Sequence, residues 1–254
     1  MTSGDHPVVL LTGAAGRLGA AIAGALAAKS ASLMLVDLAL DGLDRTRGGL
    51  PPGASVDWMA LDVTQEGAAG RALALALERF GRLDALVNNA GIEGPVARSE
   101  DIPLAEVRRV FEVNVLALLA FSGAAMRHFR SVGAGRIVNI ASGAGLAGTG
   151  MMAPYSASKH AVIGLTRSMA QEAGPAGIPV NAVCPGCVDS PMMGRIEARL
   201  GELAGTGPAS FVSSIPMARY CDPAEVGETV AWLALEAPAY ITGSAIVIDG
   251  GLRA

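Results

Sequence analysis

The chain has 254 residues, of which 51% are hydrophobic and 17% charged, so it contains enough apolar material for the core of one compact domain. Its formal net charge is −4 without a run of like charges, which argues against nucleic acid or an anionic membrane as a partner and favours a small molecule. Three cysteines are too few for a disulfide framework and fit a reducing compartment.

The apolar stretch 8–28 is similar in composition to a signal peptide. However, Arg17 interrupts it, and residues 1–7 contain Asp5 but no Lys or Arg. No uninterrupted apolar run reaches the length needed to cross a bilayer. We therefore expect a soluble cytoplasmic protein with no membrane partner.

Short apolar runs alternate with longer Ala- and Leu-rich segments along the whole chain. The runs predict strands at 8–12, 32–37, 56–61, 85–88, 136–141, 180–184 and 245–249. Because strands that alternate with helices pair in parallel, the pattern predicts a Rossmann-like, doubly wound α/β fold, a seven-stranded parallel sheet with helices on both faces. No linker marks a boundary, so residues 1–254 are expected to form a single Rossmann-fold domain.

The first predicted strand leads into a glycine-rich turn and then an Ala-rich helix. Backbone N–H groups of such a turn, with the N-terminus of the helix, can hold a pyrophosphate. A glycine triplet can also form a plain turn, but its position between a strand and a helix favours a dinucleotide. The expected contacts are Gly13, Gly16, Arg17, Leu18 and Gly19.

The second predicted strand ends at Asp37, where a carboxylate can accept hydrogen bonds from both ribose hydroxyls of an adenosine. The same charge repels a 2′-phosphate, and the following Leu38 and Ala39 bring no positive charge. We therefore expect NAD(H) to be preferred over NADP(H), with Arg17 as the nearby cation that could alter this preference.

Small or acidic residues follow the next two strands. Asp62 and Val63 are placed to flank the adenine, although an Asp at a strand end could equally cap a helix. After the fourth strand, Asn89, Ala90 and Gly91 let the backbone lie against a cofactor, although these residues alone could form an Asx turn.

Two polar residues stand out in apolar surroundings. Asn114 lies in an otherwise apolar predicted helix, where a buried amide needs partners. It could hold a water beside Lys159 for proton relay, or satisfy backbone groups at an irregularity in the helix. Ser142 follows the fifth strand, so its hydroxyl can donate to an oxygen on which charge develops.

Tyr155 and Lys159 lie four residues apart, one turn along the same face of a helix. A free tyrosine titrates near ~10, but a lysine charge fixed nearby favours the phenolate and lowers the pKa. An acid–base group that works near neutral pH is what carbonyl chemistry needs. The spacing also arises by chance on solvated helix faces, so the assignment depends on the rest of the chain.

Residues 186–222 break the alternation with scattered Pro, Gly and Met residues. The segment begins at the carboxyl end of the sixth strand, where ligands bind in parallel sheets, so it is interpreted as a substrate lid, with a mobile surface loop as the alternative. Expected substrate contacts are Ser142, Met151, Met152, Tyr155, Met192 and Met193, although core filling is nearly as good an explanation for the methionines. Arg195 or Arg199 could bind a substrate carboxylate or belong to a solvated helix face. None of the three histidines has a second ligand at metal spacing, so no metal site is expected.

With the glycine turn, the Asn-Asn-Ala-Gly segment, and Asn114, Ser142, Tyr155 and Lys159 in this order, the chain resembles the short, single-domain subgroup of the short-chain dehydrogenase/reductase family over nearly its whole length. The resemblance implies that Tyr155 is the acid–base group and that Lys159 binds the nicotinamide ribose and lowers the tyrosine pKa. It implies that Ser142 orients the substrate oxygen and Asn114 holds the relay water.

The resemblance also implies cofactor contacts after the sixth strand and a homotetramer or homodimer. The expected contacts are Pro185, Gly186, Val188 and Ser190, the serine standing where the family commonly has a Thr that binds the carboxamide. The glycine turn departs from the subgroup, because Arg17 takes the usual place of the middle glycine and Gly16 precedes it. This spacing is similar to that of longer family members.

These features predict an NAD(H)-dependent oxidoreductase that transfers hydride between nicotinamide and a secondary alcohol or ketone. The first alternative is a reductase of 3-oxoacyl thioesters similar to the acyl-carrier-protein reductases. Such proteins usually use NADPH and a basic landing patch, and both Asp37 and the negative net charge argue against them. The second alternative is a catalytically silent NAD(H)-binding module, whose expected mark is damage to the Ser-Tyr-Lys set, and that set is intact.

Overall fold

The computed structural model describes residues 6–207 and 210–254. The expectation drawn from residues 1–5, and the part of the expected lid at residues 208–209, lie outside this part of the chain.

A single sheet of seven parallel strands forms the centre of the domain, with the order β3-β2-β1-β4-β5-β6-β7. The strands are β1 (Val8–Thr12), β2 (Ser32–Asp37), β3 (Val56–Ala60), β4 (Ala85–Asn88), β5 (Arg136–Ile140), β6 (Val180–Pro185) and β7 (Ala245–Ile248). All seven predicted strands are present, and the predicted Rossmann-like fold class is confirmed. The strand order reverses between β1 and β4, which opens a crevice at their carboxyl ends.

Helices cover both faces of the sheet. They are α1 (Arg17–Ala28), α2 (Leu40–Gly48), α3 (Ala68–Phe80), α4 (Leu104–Phe111), α5 (Ala117–Val132), α6 (Ala153–Ala173), α7 (Pro191–Ala204) and α8 (Pro223–Leu235). A π-helical turn, Glu112–Leu116, joins α4 to α5. Short 3-10 turns lie at Ser99–Asp101, Gly143–Gly145, Gly174–Ala176 and Val212–Ser214.

The sheet separates two apolar cores. Along β1, Val8 and Leu10 face the core that also holds Phe129 of α5, whereas Val9 and Leu11 face the core that α1 and α8 cover. All five residues of β1 are therefore buried. This explains why the strand is a continuous apolar run in the sequence and not an alternating one.

One helical stretch of the described chain, Leu104–Val132, is long and apolar enough to cross a membrane by length and composition. The stretch is not an uninterrupted apolar run, since Arg108 and Arg109 lie near its start. Its most apolar window is 56% buried within the domain, and Phe121 and Phe129 pack in the core. A core helix passes the same test, so this stretch is weak support for a membrane span.

The expected lid contains more regular structure than the sequence predicts. A 14-residue helix, α7, begins directly after Ser190, whose hydroxyl accepts a hydrogen bond from the Met193 amide at 3.2 Å. The two ends of the segment pair with each other, since Val188 forms a parallel bridge with Cys221. The chain therefore leaves the end of β6 and comes back beside it just before α8 begins.

Candidate active site

A cavity of about 950 Å³ runs along the carboxyl ends of the strands. Most of the predicted site residues line it: Gly13, Gly16, Arg17, Leu18, Gly19, Asp37, Asp62, Val63, Asn89, Ala90, Gly91, Ser142, Met152, Tyr155, Lys159, Pro185, Gly186, Val188, Ser190, Met192 and Met193. Two predicted residues, Asn114 and Met151, do not line it. A cavity of this size and shape suits an extended ligand.

Glycines shape the end of the cavity near β1. Gly13 has φ +67°, and a Cβ there would lie 2.7 Å from the backbone of Ala90. A Cβ on Gly19 would lie 2.1 Å from the Gly13 carbonyl oxygen. Both positions therefore require glycine, which lets the turn pack against the start of α1 and the strand-end loop of β4. The resulting cradle at a helix N-terminus is suited to a pyrophosphate.

The carboxylate of Asp37 is fixed by the backbone on both sides. Its Oδ2 accepts a hydrogen bond from the Ala15 amide at 3.0 Å, and its Oδ1 accepts from the Ala39 amide at 3.1 Å. Each oxygen retains acceptor capacity for a further donor. The side chain is thus held at the cavity wall beside the glycine turn, where ribose hydroxyls can reach it.

The Asp62 carboxylate is hydrogen-bonded within its own segment of the chain. Its Oδ1 accepts hydrogen bonds from the Thr64 hydroxyl at 2.7 Å and the Thr64 amide at 2.9 Å. These bonds hold the pKa of the carboxyl below its usual value. Asp62 therefore forms a local turn with Thr64 and does not cap a helix, since the next helix, α3, begins at Ala68 with Gly67 as its N-cap. The residue also lies in the cavity wall with Val63.

Tyr155 and Ser142 meet at the other end of the cavity. Burial raises the pKa of the Tyr155 phenol, a hydrogen bond with Ser142 works against this rise, and the negative charge of Glu93 adds to it. The sequence predicts that Lys159 lowers this pKa. In the structure burial has the largest effect on this pKa, and the net direction is upward.

Lys159 is 4% exposed and donates a hydrogen bond from Nζ to the Ile140 carbonyl at 2.8 Å. Its Nζ lies 5.7 Å from the centre of the Tyr155 ring. Burial lowers the pKa of the ammonium to about 8. The charge that the sequence places beside the tyrosine is therefore present, but it is held at the end of β5 and not in contact with the phenol oxygen.

Asn114 lies in the π-helical turn and is 1% exposed. Its Oδ1 accepts from the Ile92 amide at 2.8 Å, while Nδ2 donates to the Ile92 carbonyl and the Ser158 hydroxyl, each at 3.0 Å. The side chain thus holds the loop after β4 against α6. This arrangement matches the alternative that the amide satisfies groups at a helix irregularity, although Oδ1 keeps one acceptor position.

Gly91 leaves a small space between Asn114 and Lys159. A Cβ built on Gly91 would lie 3.3 Å from Asn114 Oδ1 and 3.4 Å from Lys159 Nζ. Both polar atoms therefore lie close to the same point beside Gly91. A group placed there could accept from the ammonium and donate to the amide oxygen.

The methionines form a small apolar cluster at the tyrosine end. Met152, Val96 and Ile196 are buried, and Met151, Met192 and Met193 pack against them. Met152, Met192 and Met193 also line the cavity, so core filling and pocket lining both apply to these three. Met151 belongs only to the cluster and does not line the cavity.

The two candidate arginines of α7 differ in their surroundings. Arg195 lines the cavity and donates from Nε to Glu93 Oε1 at 2.6 Å. Arg199 pairs with Glu202 of its own helix, and both side chains are more than half exposed. Arg199 therefore belongs to the solvated face.

Several cavity residues have no motif that marks them in the sequence. They are Arg109, Thr149, Phe211, Leu252 and Arg253, to which Glu93 is added through its contact with Arg195. Their positions depend on how distant segments pack. The spacing of residues along the chain gives no signal for them.

A family model described as enoyl-(acyl carrier protein) reductase matches residues 13–253. Levodione reductase of Leifsonia aquatica is 35% identical over 97% of this chain and 94% of its own length. Cis-4-hydroxycyclohexanecarboxylate dehydrogenase of Sinomonas cyclohexanicum is 36% identical over 97% of this chain and 96% of its own length.

Several solved structures are similar to this structure over nearly the whole chain. A variant of actinorhodin polyketide ketoreductase with NADPH has a TM-score of 0.94 at 33% identity, over 99% of each chain. An NAD+-bound xylitol dehydrogenase has a TM-score of 0.90 at 32% identity, over 98% of this chain and 100% of its own. Both nicotinamide dinucleotides therefore occur among these structures.

Proposed function

The chain belongs to the short-chain dehydrogenase/reductase family, and from this premise we propose that Tyr155, Ser142 and Lys159 carry out hydride transfer between a secondary alcohol or ketone and NAD(H). The relatives are dehydrogenases and reductases, so the protein is an oxidoreductase that acts on CH–OH groups and binds a nicotinamide dinucleotide. The predicted family and reaction class are confirmed. The observation that carries the residue assignment is the meeting of Tyr155 and Ser142 above the buried Lys159 at one end of the cavity.

In alcohol oxidation, Tyr155 accepts the hydroxyl proton of the substrate at its phenolate oxygen, and Ser142 donates a hydrogen bond to the same substrate oxygen. The nicotinamide supplies or accepts the hydride when bound. Because burial raises the pKa of Tyr155, forming the phenolate depends on stabilising charge at the site. Ser142 and the Lys159 ammonium are the groups placed to provide it.

Lys159 and Asn114 are proposed to pass the proton to solvent. The space beside Gly91 faces both Lys159 Nζ and Asn114 Oδ1, and a relay water would fit this pair of partners. Asn114 also has a positioning role through its bonds to Ile92 and Ser158.

The dinucleotide is proposed to lie from Asp37 at the adenosine end to Ser190 at the nicotinamide end. Gly13, Gly16, Leu18 and Gly19 would hold the pyrophosphate at the start of α1, with Asp62, Val63, Asn89, Ala90, Gly91, Pro185, Gly186 and Val188 along the cavity wall. The cradle that forbids a Cβ at Gly13 and Gly19 supports this placement.

NAD(H) is proposed as the preferred cofactor. Asp37 places a negative charge where a 2′-phosphate would lie, and the side chains of Leu38 and Ala39 cannot compensate for it. Arg17, the cation that could do so, instead pairs with Asp189 at 2.8 Å, on the β6 side of β1. Its charge is therefore directed away from Asp37, which lies on the β2 side. With NAD(H) preferred, alcohol oxidation is the favoured direction.

The acyl-thioester reductase is the second candidate. It is favoured by the description of the matching family model and by the similarity to a polyketide ketoreductase. Against it stand Asp37 and the net charge of −4, since a partner such as an acidic carrier protein needs a basic surface. The silent binding module is disfavoured because the Ser-Tyr-Lys set is complete and assembled at the cavity.

We further propose a small, largely apolar alcohol as substrate, a homotetramer or homodimer as the assembly, the cytoplasm as the location, and residues 186–222 as the substrate lid. Apolar lining from Met152, Met192 and Met193 supports the substrate class. Exposed Leu116 and Leu119 of the long central helical stretch, at 57% and 43%, support burial in an assembly.

The test is a panel of secondary alcohols and ketones with NAD+ or NADH and, in parallel, NADP+ or NADPH, read by nicotinamide absorbance. Cyclic alcohols with and without a carboxylate belong in the panel, because a 36% identical relative is named for cis-4-hydroxycyclohexanecarboxylate. Turnover of simple alcohols or ketones with NAD(H) is the expected result. NADH binding without turnover on any member would favour the silent module, and activity restricted to acyl thioesters with NADPH would favour the reductase.

A further inference from the structure

Arg17 and Asp189 form an ion pair at the edge of the cavity, which is lined by Arg17 and by Val188 and Ser190, the neighbours of Asp189. The Arg17 Nη2 atom lies 2.8 Å from Asp189 Oδ2, and their side chains are 52% and 58% exposed. Arg17 is the first residue of α1, beside the end of β1, while Asp189 follows β6. Because β4 and β5 lie between β1 and β6 in the sheet, the pair joins segments that follow non-adjacent strands.

The two residues are held by different means. The Asp189 amide donates to the Cys221 carbonyl at 3.0 Å, and the following Ser190 caps α7, so the backbone under Asp189 is fixed on both sides. Arg17 reaches the pair through a long, flexible side chain. The carboxylate is therefore the fixed partner, and the guanidinium is the one that can move.

The surroundings of Arg17 favour a second anionic partner. Arg17 lines the cavity together with Gly13, Gly16 and Gly19 of the glycine turn, and the first turn of α1 contains no acidic residue. The N-terminus of a 12-residue helix adds positive potential at the same place. Half-exposed ion pairs contribute little to folding stability, so the pair with Asp189 is easily exchanged for a stronger one.

We propose that the Arg17 side chain is a ligand of the dinucleotide pyrophosphate, and that Asp189 holds this guanidinium over the cleft and competes with the pyrophosphate for it. The inference rests on the proposed dinucleotide site. A guanidinium binds two oxygen atoms of a phosphate in a charge-assisted manner, which the glycine that usually occupies this place cannot do. Binding of the dinucleotide then releases Asp189, at the start of the expected lid.

Two variants test the proposal with opposite expected signs. Arg17→Gln removes the charge and should raise the Kd for NADH about tenfold, a change typical of a lost charge-assisted hydrogen bond. Asp189→Asn removes the competitor and should lower the Kd for NADH about threefold. Arg17→Lys should lie between Arg17→Gln and the unmutated protein.

Binding is measured by the change in NADH fluorescence and, for adenosine, by competition with NADH. Adenosine has no phosphate, so its affinity should be the same in all variants. The Kd for NADH should also depend less on salt in Arg17→Gln than in the unmutated protein. Arg199→Gln is the matched control, because it removes an ion pair of the same length and similar exposure from the outer face of α7.

An unchanged NADH affinity in Arg17→Gln would overturn the proposal. So would an equal loss of NADH and adenosine affinity, which would mean that Arg17 acts through the shape of the turn. An unchanged or weaker NADH affinity in Asp189→Asn would overturn the proposal that Asp189 competes with the pyrophosphate for Arg17. If the unmutated protein itself binds no NADH, the proposed function fails instead, and the two failures are thereby distinguished.

Discussion

Glu93 and Arg195, which are 102 residues apart in the sequence, are joined by a hydrogen bond of 2.6 Å between Arg195 Nε and Glu93 Oε1. The Glu93 side chain is 17% exposed, and that of Arg195 is 60% exposed. Because the Glu93 charge raises the pKa of Tyr155, the guanidinium that neutralises this charge favours the phenolate that the proposed mechanism requires. The proposed proton transfer would thereby depend on a contact between the loop after β4 and the helix α7.

In alcohol oxidation, kcat should rise with pH as the Tyr155 phenolate forms. Arg195→Gln should therefore shift this rise to higher pH, and Glu93→Gln should shift it to lower pH. The first variant leaves the Glu93 charge without its partner, which raises the pKa of Tyr155 further, and the second removes that charge. The pH profile of kcat for each variant provides the measurement, with Arg199→Gln as the control. Shifts of both variants in the same direction would contradict this electrostatic link.

Tyr155→Phe should lower kcat by at least about a thousandfold, because the group that accepts the substrate proton is lost. NADH affinity should change by less than about twofold, since the ring and its packing remain. Steady-state kinetics and NADH fluorescence separate the two quantities. Tyr240→Phe, at a fully exposed tyrosine, serves as the control. Retained turnover in Tyr155→Phe would refute the assignment of the acid–base group.

Asp37→Ala should lower the ratio of kcat/KM for NAD+ to kcat/KM for NADP+ by about tenfold or more, because the carboxylate at the end of β2 no longer repels the 2′-phosphate. Initial rates with each cofactor at low concentration give the ratio. Asp41→Ala, an exposed residue at the start of α2, controls for the loss of a negative charge nearby. A preference of the unmutated protein for NADP+ would show that the interpretation of Asp37 is wrong.

Gly91→Ala should lower kcat at saturating cofactor by about tenfold, because the added methyl occupies the space beside Asn114 Oδ1 and Lys159 Nζ. Because Gly91 also lines the proposed cofactor site, NADH affinity is measured separately. The solvent isotope effect on kcat should rise at the same time, since proton release becomes slower. Gly164→Ala introduces the same methyl on α6 where no atom lies within 4 Å. An unchanged isotope effect in Gly91→Ala would count against a relay at this point.

Lys159→Met should alter the pH dependence of stability as well as activity. Burial lowers the pKa of Lys159 from 10.5 to about 8, so between these values the unfolded chain holds a proton that the folded chain has released. The free energy of unfolding of the unmutated protein should therefore rise with pH relative to Lys159→Met, by up to about 3 kcal/mol across this window. Urea unfolding at about pH 7 and about pH 10 measures this difference. A difference that does not change with pH would mean that the ammonium is not buried.

The sheet could be predicted almost completely from the sequence, because strands buried on both faces, such as Val8–Thr12, are continuous apolar runs. The cavity wall near β1 and β2 could be predicted as well, since Gly13 and Asp37 lie directly at strand ends and Gly19 lies in the first turn of α1. Local signals for α7 were present in Ser190 and Pro191, a cap followed by a residue suited to the first helical turn, but the Gly and Met residues nearby obscured them.

Other features of the site depend on packing and leave no local pattern. The bond between Glu93 and Arg195 joins distant segments, and no spacing rule predicts it. The direction of the Tyr155 pKa was wrong at the sequence level, because proximity to Lys159 can be seen in the sequence whereas the degree of burial cannot. Likewise, the partners of Asn114 depend on a π-helical turn that the apolar pattern of the helix does not reveal.

The pairing of Val188 with Cys221 fixes the two ends of the lid segment, so that the residues between them can change while those ends stay in place. Because both ends of the segment meet at this bridge, residues 196–220 form a cassette that can be exchanged or lengthened without moving β6 or α8. Substrate range is then free to diverge through this cassette while Asp189, Ser190 and Arg195 keep their contacts. A chimera that carries this cassette from a relative with another substrate should acquire the substrate specificity of the relative and retain the cofactor preference of this protein.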